Sequence, residues 1–182
     1  MIPPLIYGFN PGHQRLSMQI PTLTRFALKH GFAGHIGSGA SQWSSIHVLD
    51  LARAYLTLLH YMEATPSSTF SDNPYFFAEN GSEFTWREVA EQIGRNLHDA
   101  GLIPDPAPRS VDPADYADLM GDLSPLVLGM NSRSRAERLR TLGWESREKG
   151  WSESLRADEL PELCREEGVE FNGYGVRESS VN

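Results

Sequence analysis

Within 182 residues there is one cysteine, Cys164, and only two lysines, Lys29 and Lys149. A single thiol rules out an intrachain disulfide and fits a reducing compartment, so a cytoplasmic protein is expected. No apolar run approaches the ~20 residues that a membrane-spanning helix needs. The start, Met1-Ile2-Pro3-Pro4-Leu5-Ile6-Tyr7-Gly8, lacks the basic region and the long apolar stretch of a secretory signal. Basic charge is scarce too: 16 Lys and Arg against 24 Asp and Glu leave a formal net charge of -8. Such a chain gains nothing from counterion release on nucleic acid and suits an anionic membrane poorly. A small-molecule partner, with no nucleic acid and no membrane, is the expectation, and a homo-oligomer is compatible with it.

Several chemical signatures are missing as well. The histidines at 13, 30, 35, 47, 60 and 98 contain no His-x-x-x-His pair, and Cys164 has no partner, so no metal site is expected. There is no G-x-S-x-G elbow and no P-loop lysine motif. Gly34-His35-Ile36-Gly37-Ser38-Gly39 does not fit G-x-G-x-x-G and reads as a flexible loop. Glu166-Glu167 falls in a polar stretch and reads as solvated.

What is present is ordinary globular material, 40% hydrophobic and 22% charged. Residues 2 to 7 read as a strand ended by Gly8, with the prolines at its edge. Pro21, Leu23, Phe26, Ala27 and His30 predict a helix stopped by Gly31. The Gly/Ser-rich stretch from Gly34 runs as loop into a short extended piece, Ser45 to Val48. Asp50 is expected to cap a helix whose Leu51, Tyr55, Leu58, Leu59 and Met62 form one core-facing stripe. Tyr75-Phe76-Phe77-Ala78 reads as a buried strand. Thr85 and Glu88 form a capping box, with Trp86, Val89, Ile93 and Leu97 on one face behind it. Asp112-Pro113 opens a further helix through Met120. An Arg-rich helix spans Ser132 to Leu142 and ends at Gly143, its charges read as a solvated face. A last helix is expected over Ser152 to Glu166, then a disordered tail over residues 167–182.

Three segments in order carry a family resemblance. Pro3-Pro4-Leu5-Ile6-Tyr7-Gly8 resembles the strand-end P-x-x-I/V-Y-G of the extended short-chain dehydrogenases/reductases, the NAD-dependent epimerase/dehydratase group. Ile46-His47-Val48-Leu49-Asp50-Leu51-Ala52-Arg53-Ala54 is similar to their I-H-V-x-D-[LV]-A-x-A, and Leu142-Gly143-Trp144 to their C-terminal L-G-W. The nearest flavour is the fungal nucleoside-diphosphate-sugar-epimerase-like group, in which Ser17-Met18-Gln19-Ile20-Pro21 also has a counterpart. The resemblance implies an α/β fold over residues 1–166: the C-terminal part of a Rossmann-type parallel sheet plus the mainly helical substrate-binding subdomain. It implies NAD or NADP in a full-length relative, with Pro3, Pro4 and Leu5 at the nicotinamide end of the cofactor groove. Tyr7, Ser17 and Gln19 would line the substrate pocket. Trp43 stands where nucleotide-sugar members often carry a pyrophosphate-binding Arg, which points to a less charged carbonyl or hydroxyl substrate. Each of these residues has a plainer reading: strand end, loop polarity or, for Trp43, core. His47 and Asp50 read as structural.

The family's glycine-rich loop and Tyr-x-x-x-Lys pair are absent. Four residues before Lys29 and Lys149 stand Arg25 and Glu145, so no catalytic residue is assigned. The chain is expected to be a fragment, a truncated gene model or a reduced protein, inactive alone. The alternative is a non-catalytic binding or interaction module of the same fold.

Overall fold

The computed structural model describes residues 1–13, 15–70, 73–166 and 173. The expected tail therefore lies, Gly173 apart, outside the described residues. The chain is α/β and forms two compact units: Met1–Ser17, Trp43–Phe84 and Ser132–Glu159 in the first, Met18–Gln42, Thr85–Asn131 and Leu160–Asn182 in the second.

In the first unit, β1 (Leu5–Tyr7) pairs in parallel with β3 (Gln42–His47), Leu5 opposite Ser45 and Tyr7 opposite His47. β4 (Glu83–Thr85) completes a sheet of order β1-β3-β4. Pro3 and Pro4 have no N–H to donate, so the ladder begins only at Leu5. β3 starts three residues before the expected extended piece. Its Ser44 and Ser45 are fully buried, and Ser44 Oγ donates to the Ser134 carbonyl at 3.2 Å.

α2 (Val48–Ala64) follows at once. Its N-cap is His47, not Asp50: His47 Nδ1 accepts from the Leu49 N–H at 3.2 Å. Asp50 lies inside the first turn, fully buried, and accepts from the Arg147 and Glu148 N–H groups at 2.8 and 3.1 Å. Trp144 Nε1 donates to the Asp50 carbonyl at 3.2 Å. Ile46, Leu51, Ala54, Ala78, Ala136, Leu139 and Trp144 form the core there. The expected stripe divides: Leu51 and Leu58 are buried, whereas Tyr55, Leu59 and Met62 face outward, each about half exposed. The five positions cover too wide an arc for the single side that this unit covers.

The segment at Tyr75–Ala78 is not a ladder strand. It makes one parallel bridge, Ile2 to Phe77, with Phe76 and Ala78 buried and Tyr75 and Phe77 exposed. The Arg-rich helix shrinks to α5 (Glu137–Thr141), and its arginines are partnered rather than merely solvated. Arg133 and Arg135 pair with Glu83 at 2.8 and 2.6 Å, Arg140 with Glu79 at 2.7 Å, and Arg138 lies 4.1 Å over the Phe76 ring. The last helix breaks into α6 (Trp151–Ser154), a π-type turn at Leu155–Glu159 and α7 (Leu160–Cys164). Pro161 explains the break, because its ring cannot sit against the carbonyl four residues back in a regular helix.

The second unit packs α1 (Gln19–His30) against α3 (Trp86–Asp99). Gly31 ends α1 at φ +76°, its N–H on the Ala27 carbonyl at 2.9 Å. The Thr85–Glu88 capping box is formed, and Trp86, Val89, Ile93 and Leu97 are buried. β2 (Gly34–His35) pairs in parallel with β5 (Arg109–Ser110), two strands that local pattern does not show. Asp112 caps a 3-10 turn over Pro113–Asp118 in place of the expected α-helix, and α4 (Ser124–Gly129) follows. Glu166 is not free: it pairs with Arg25 at 2.6 Å.

Candidate functional site

Open parallel sheets bind ligands beyond the carboxyl ends of their strands. In the first unit those ends are Tyr7 and His47, opposite each other in register. Their rings meet edge to face, centroids 5.4 Å apart. Gly8 follows at φ +96°, and a Cβ there would lie 2.3 Å from His47 Nε2. Glycine is required at this point by both conformation and space.

His47 is almost fully buried, and burial lowers its pKa. With Nδ1 accepting from Leu49, the neutral ring carries its proton on Nε2. Tyr7 is fully buried; its hydroxyl donates to the Lys149 carbonyl at 2.7 Å and accepts from Asn80 Nδ2 at 2.9 Å. Burial pushes its pKa well above the ordinary tyrosine value, against the Asn80 hydrogen bond. The phenol is therefore a poor proton exchanger near neutrality. Lys149 extends to Asp158 at 2.7 Å, and that hydrogen bond raises its pKa.

Beside Asp158 lies Glu159, fully buried. Burial pushes its carboxyl up to about 7, opposed by hydrogen bonds from the Gly8 N–H, Ser154 and Ser17. Ser17 Oγ and Ser154 Oγ each stand 3.5 Å from it.

The structure thus gathers Tyr7 and Ser17 around one cluster with His47, Asn80 and Glu159. Pro3 and Pro4 are half-buried just before β1, and Leu5 is 1% exposed, leaving mainly its backbone for contact. Trp43 lies at the opposite end of β3, bridged to Ser132 and four positions before His47, ~13 Å at strand rise. Gln19 opens α1 in the second unit. Sequence reasoning gave His47 a purely structural part and missed Asn80 and Glu159. The I-H-V-x-D segment is the signal that singles out His47; nothing local marks the other two.

Of the glycines in residues 34–39, two serve packing: a Cβ at Gly34 would meet Val111 Cγ2 at 2.3 Å, and one at Gly39 would meet His35 at 2.9 Å, whereas Gly37, at φ +56°, has open space around it. A depression of about 500 Å³ in the second unit is lined by Ala40, Ser41, Gly129, Met130 and Asn131, without a charged side chain. Among the described residues no group of three or more His, Cys, Asp or Glu could hold a metal, and no helix is long and apolar enough to cross a membrane.

The parallel strands, their crossover connection and the cluster at their carboxyl ends define part of a Rossmann-type α/β protein. No family model matches the chain. The oxidase ucsJ of Acremonium sp is 31% identical over 137 residues, which are 69% of this chain and 38% of that protein. The dTDP-glucose 4,6-dehydratase of Bacillus anthracis, solved with NAD, superposes with a TM-score of 0.58 at 18% identity, over 91% of this chain and 44% of its own. RMD of Pseudomonas aeruginosa, solved with NADPH, gives a TM-score of 0.52 at 20% identity, over 88% and 46%. In fold the chain corresponds to part of these Rossmann-type α/β enzymes. It spans less than half the length of these relatives.

Proposed function

We propose that this chain is the substrate-side part of an NAD(P)-dependent oxidoreductase or epimerase-like protein acting on a carbonyl or hydroxyl group of a small molecule. The observation that carries the reading is the polar cluster of Tyr7, Ser17, His47 and Asn80 at the carboxyl ends of β1 and β3, where this fold class places its ligands. The solved relatives hold NAD or NADPH, and a nicotinamide would supply the hydride. Pro3, Pro4 and the Leu5 backbone would border that cofactor, Tyr7 and Ser17 the substrate, with Gln19 and Trp43 as further candidates. Trp43 in place of a cation favours an uncharged reacting molecule over a nucleotide sugar. Without the glycine-rich motif and a Tyr-x-x-x-Lys pair, the chain alone is expected to transfer no hydride, and a cytoplasmic setting suits its single thiol.

Titration of the chain with NADH and with NADPH, followed by nicotinamide fluorescence, tests the reading. The expected result is a folded protein without saturable binding up to about 1 mM, a weak limit on the affinity scale. Saturable binding by either nucleotide would sink the claim that the cofactor site needs residues beyond this chain.

A second reading is a non-catalytic binding or interaction module. The exposed apolar face of α2 beside the edge strand β1 favours it. It predicts a stable assembly that persists without any nucleotide.

A further inference from the structure

We propose that Glu159 is a proton-dependent clasp on the loop that follows β1: its buried carboxyl ties Gly8 at one end of residues 8–17 and Ser17 at the other, and its ionisation loosens both ends.

The geometry is convergent. Glu159 is the last residue of the π-type turn and has no exposed surface. The Gly8 N–H reaches it from the end of β1, Ser17 Oγ from the far end of the loop, and Ser154 Oγ from the preceding helical turn. Between the two anchored ends the loop holds itself by an Asn10–Arg15 bridge, and Pro11, Gly12 and His13 are exposed. Among the described residues no cation pairs with Glu159. The titratable groups that face it include Asp158 on its own turn, whose partner is Lys149, and the neutral Tyr7 phenol from β1, whose hydroxyl is held by Asn80 and the Lys149 carbonyl.

An ionised carboxylate here would rest on three neutral donors in a dry site, which is costly. The folded carboxyl accordingly keeps its proton up to about 7. Opening the loop admits water and returns the group to ordinary carboxylate behaviour. The closed loop therefore holds a proton that the open loop releases, so opening becomes easier as pH rises from the ordinary 4.5 towards 7 and levels off beyond it. Gly8 follows Tyr7 in the chain and packs against the His47 ring, so the clasp governs how firmly the start of the loop is held against the cluster. It does not rest on the nicotinamide reading.

The test is amide hydrogen exchange by NMR on the full chain between about pH 5 and pH 7.5, each rate divided by its intrinsic value. Protection of Gly8 and its loop neighbours should fall about tenfold or more across this window, since one unit of pKa difference is a factor of ten. In Glu159→Gln, neutral at every pH, protection should stay flat within about twofold. Flat protection in the wild type, or an unchanged slope in the Gln variant, overturns the clasp. If Glu159→Gln does not fold, the 13C titration of the wild-type Glu159 carboxyl decides. A midpoint that tracks the loss of protection supports the clasp, and a midpoint below about 5 overturns it.

Discussion

Glu79 and Glu159 are both fully buried in the first unit, yet their surroundings push them in opposite directions. Burial alone raises either carboxyl. At Glu79 that effect is outweighed by the Ala136 N–H at 2.9 Å, by Arg140 at 2.7 Å and by the Gly81 N–H, so its pKa falls below 4.5. Glu159 has no such cation and ends raised. The signs for stability follow from linkage. Glu79 contributes stability that is present above 4.5 and is lost as pH falls through its lower folded value. Glu159 contributes stability that is present below 4.5 and is lost as pH rises towards about 7, a range worth on the order of 3 kcal/mol at 1.36 kcal/mol per unit. Urea midpoints between about pH 3 and pH 8 should therefore peak on the acid side of neutral. Glu159→Gln should flatten the neutral-side decline. Glu79→Gln should cost about 1–2 kcal/mol at the peak, since the Ala136 N–H and the half-exposed Arg140 lose a charged acceptor. A wild-type midpoint climbing steadily to pH 8 would contradict the Glu159 assignment. Neither environment is legible in the sequence, because the Ser17–Glu159 contact joins residues 142 apart.

At the level of elements, legibility follows the range of the signal. The Thr85–Glu88 box and the Gly31 stop are written in adjacent residues, and both form. β2 and β5 are two-residue strands that exist only because Gly34 meets Arg109 and His35 meets Ser110, so no local pattern reveals them. α2 lies between these cases. Its apolar residues correctly foretell a helix, but periodicity cannot say which part of a wide arc is covered. Leu58 is 9% exposed and Leu59 50%, so adjacent leucines should behave differently. Leu58→Ala should destabilise by about 2–4 kcal/mol, and Leu59→Ala by no more than about 0.5 kcal/mol. Chemical denaturation of both variants at low protein concentration measures this. Equal costs would mean that the outer face of α2 is covered in solution.

For the whole molecule, that outer face decides how the chain behaves alone. The family resemblance was legible from three short motifs, and with it the α/β fold. The missing glycine-rich loop and Tyr-x-x-x-Lys pair also pointed to a part of a longer relative, and the chain spans under half of its solved relatives. The first unit offers β1 as the outermost strand of its sheet, packed by α2, whose Tyr55, Leu56, Leu59 and Met62 are each at least half exposed. An open strand edge offers unpaired backbone groups, and an apolar stripe of this kind gains by leaving water. The net charge of -8 opposes self-association, but the stripe itself carries no charged side chain, so salt should strengthen pairing by screening the repulsion elsewhere. Sedimentation velocity is expected to show reversible, concentration-dependent association between about 5 and 100 µM, stronger at about 0.5 M NaCl. The double variant Leu59→Lys, Met62→Lys should stay monomeric while keeping the wild-type circular dichroism. If the wild type is a monomer throughout this range, the stripe is too small to hold a second copy, and the interaction-module reading loses the observation that favours it. If association persists in the double variant, the β1 edge and not α2 is the contact.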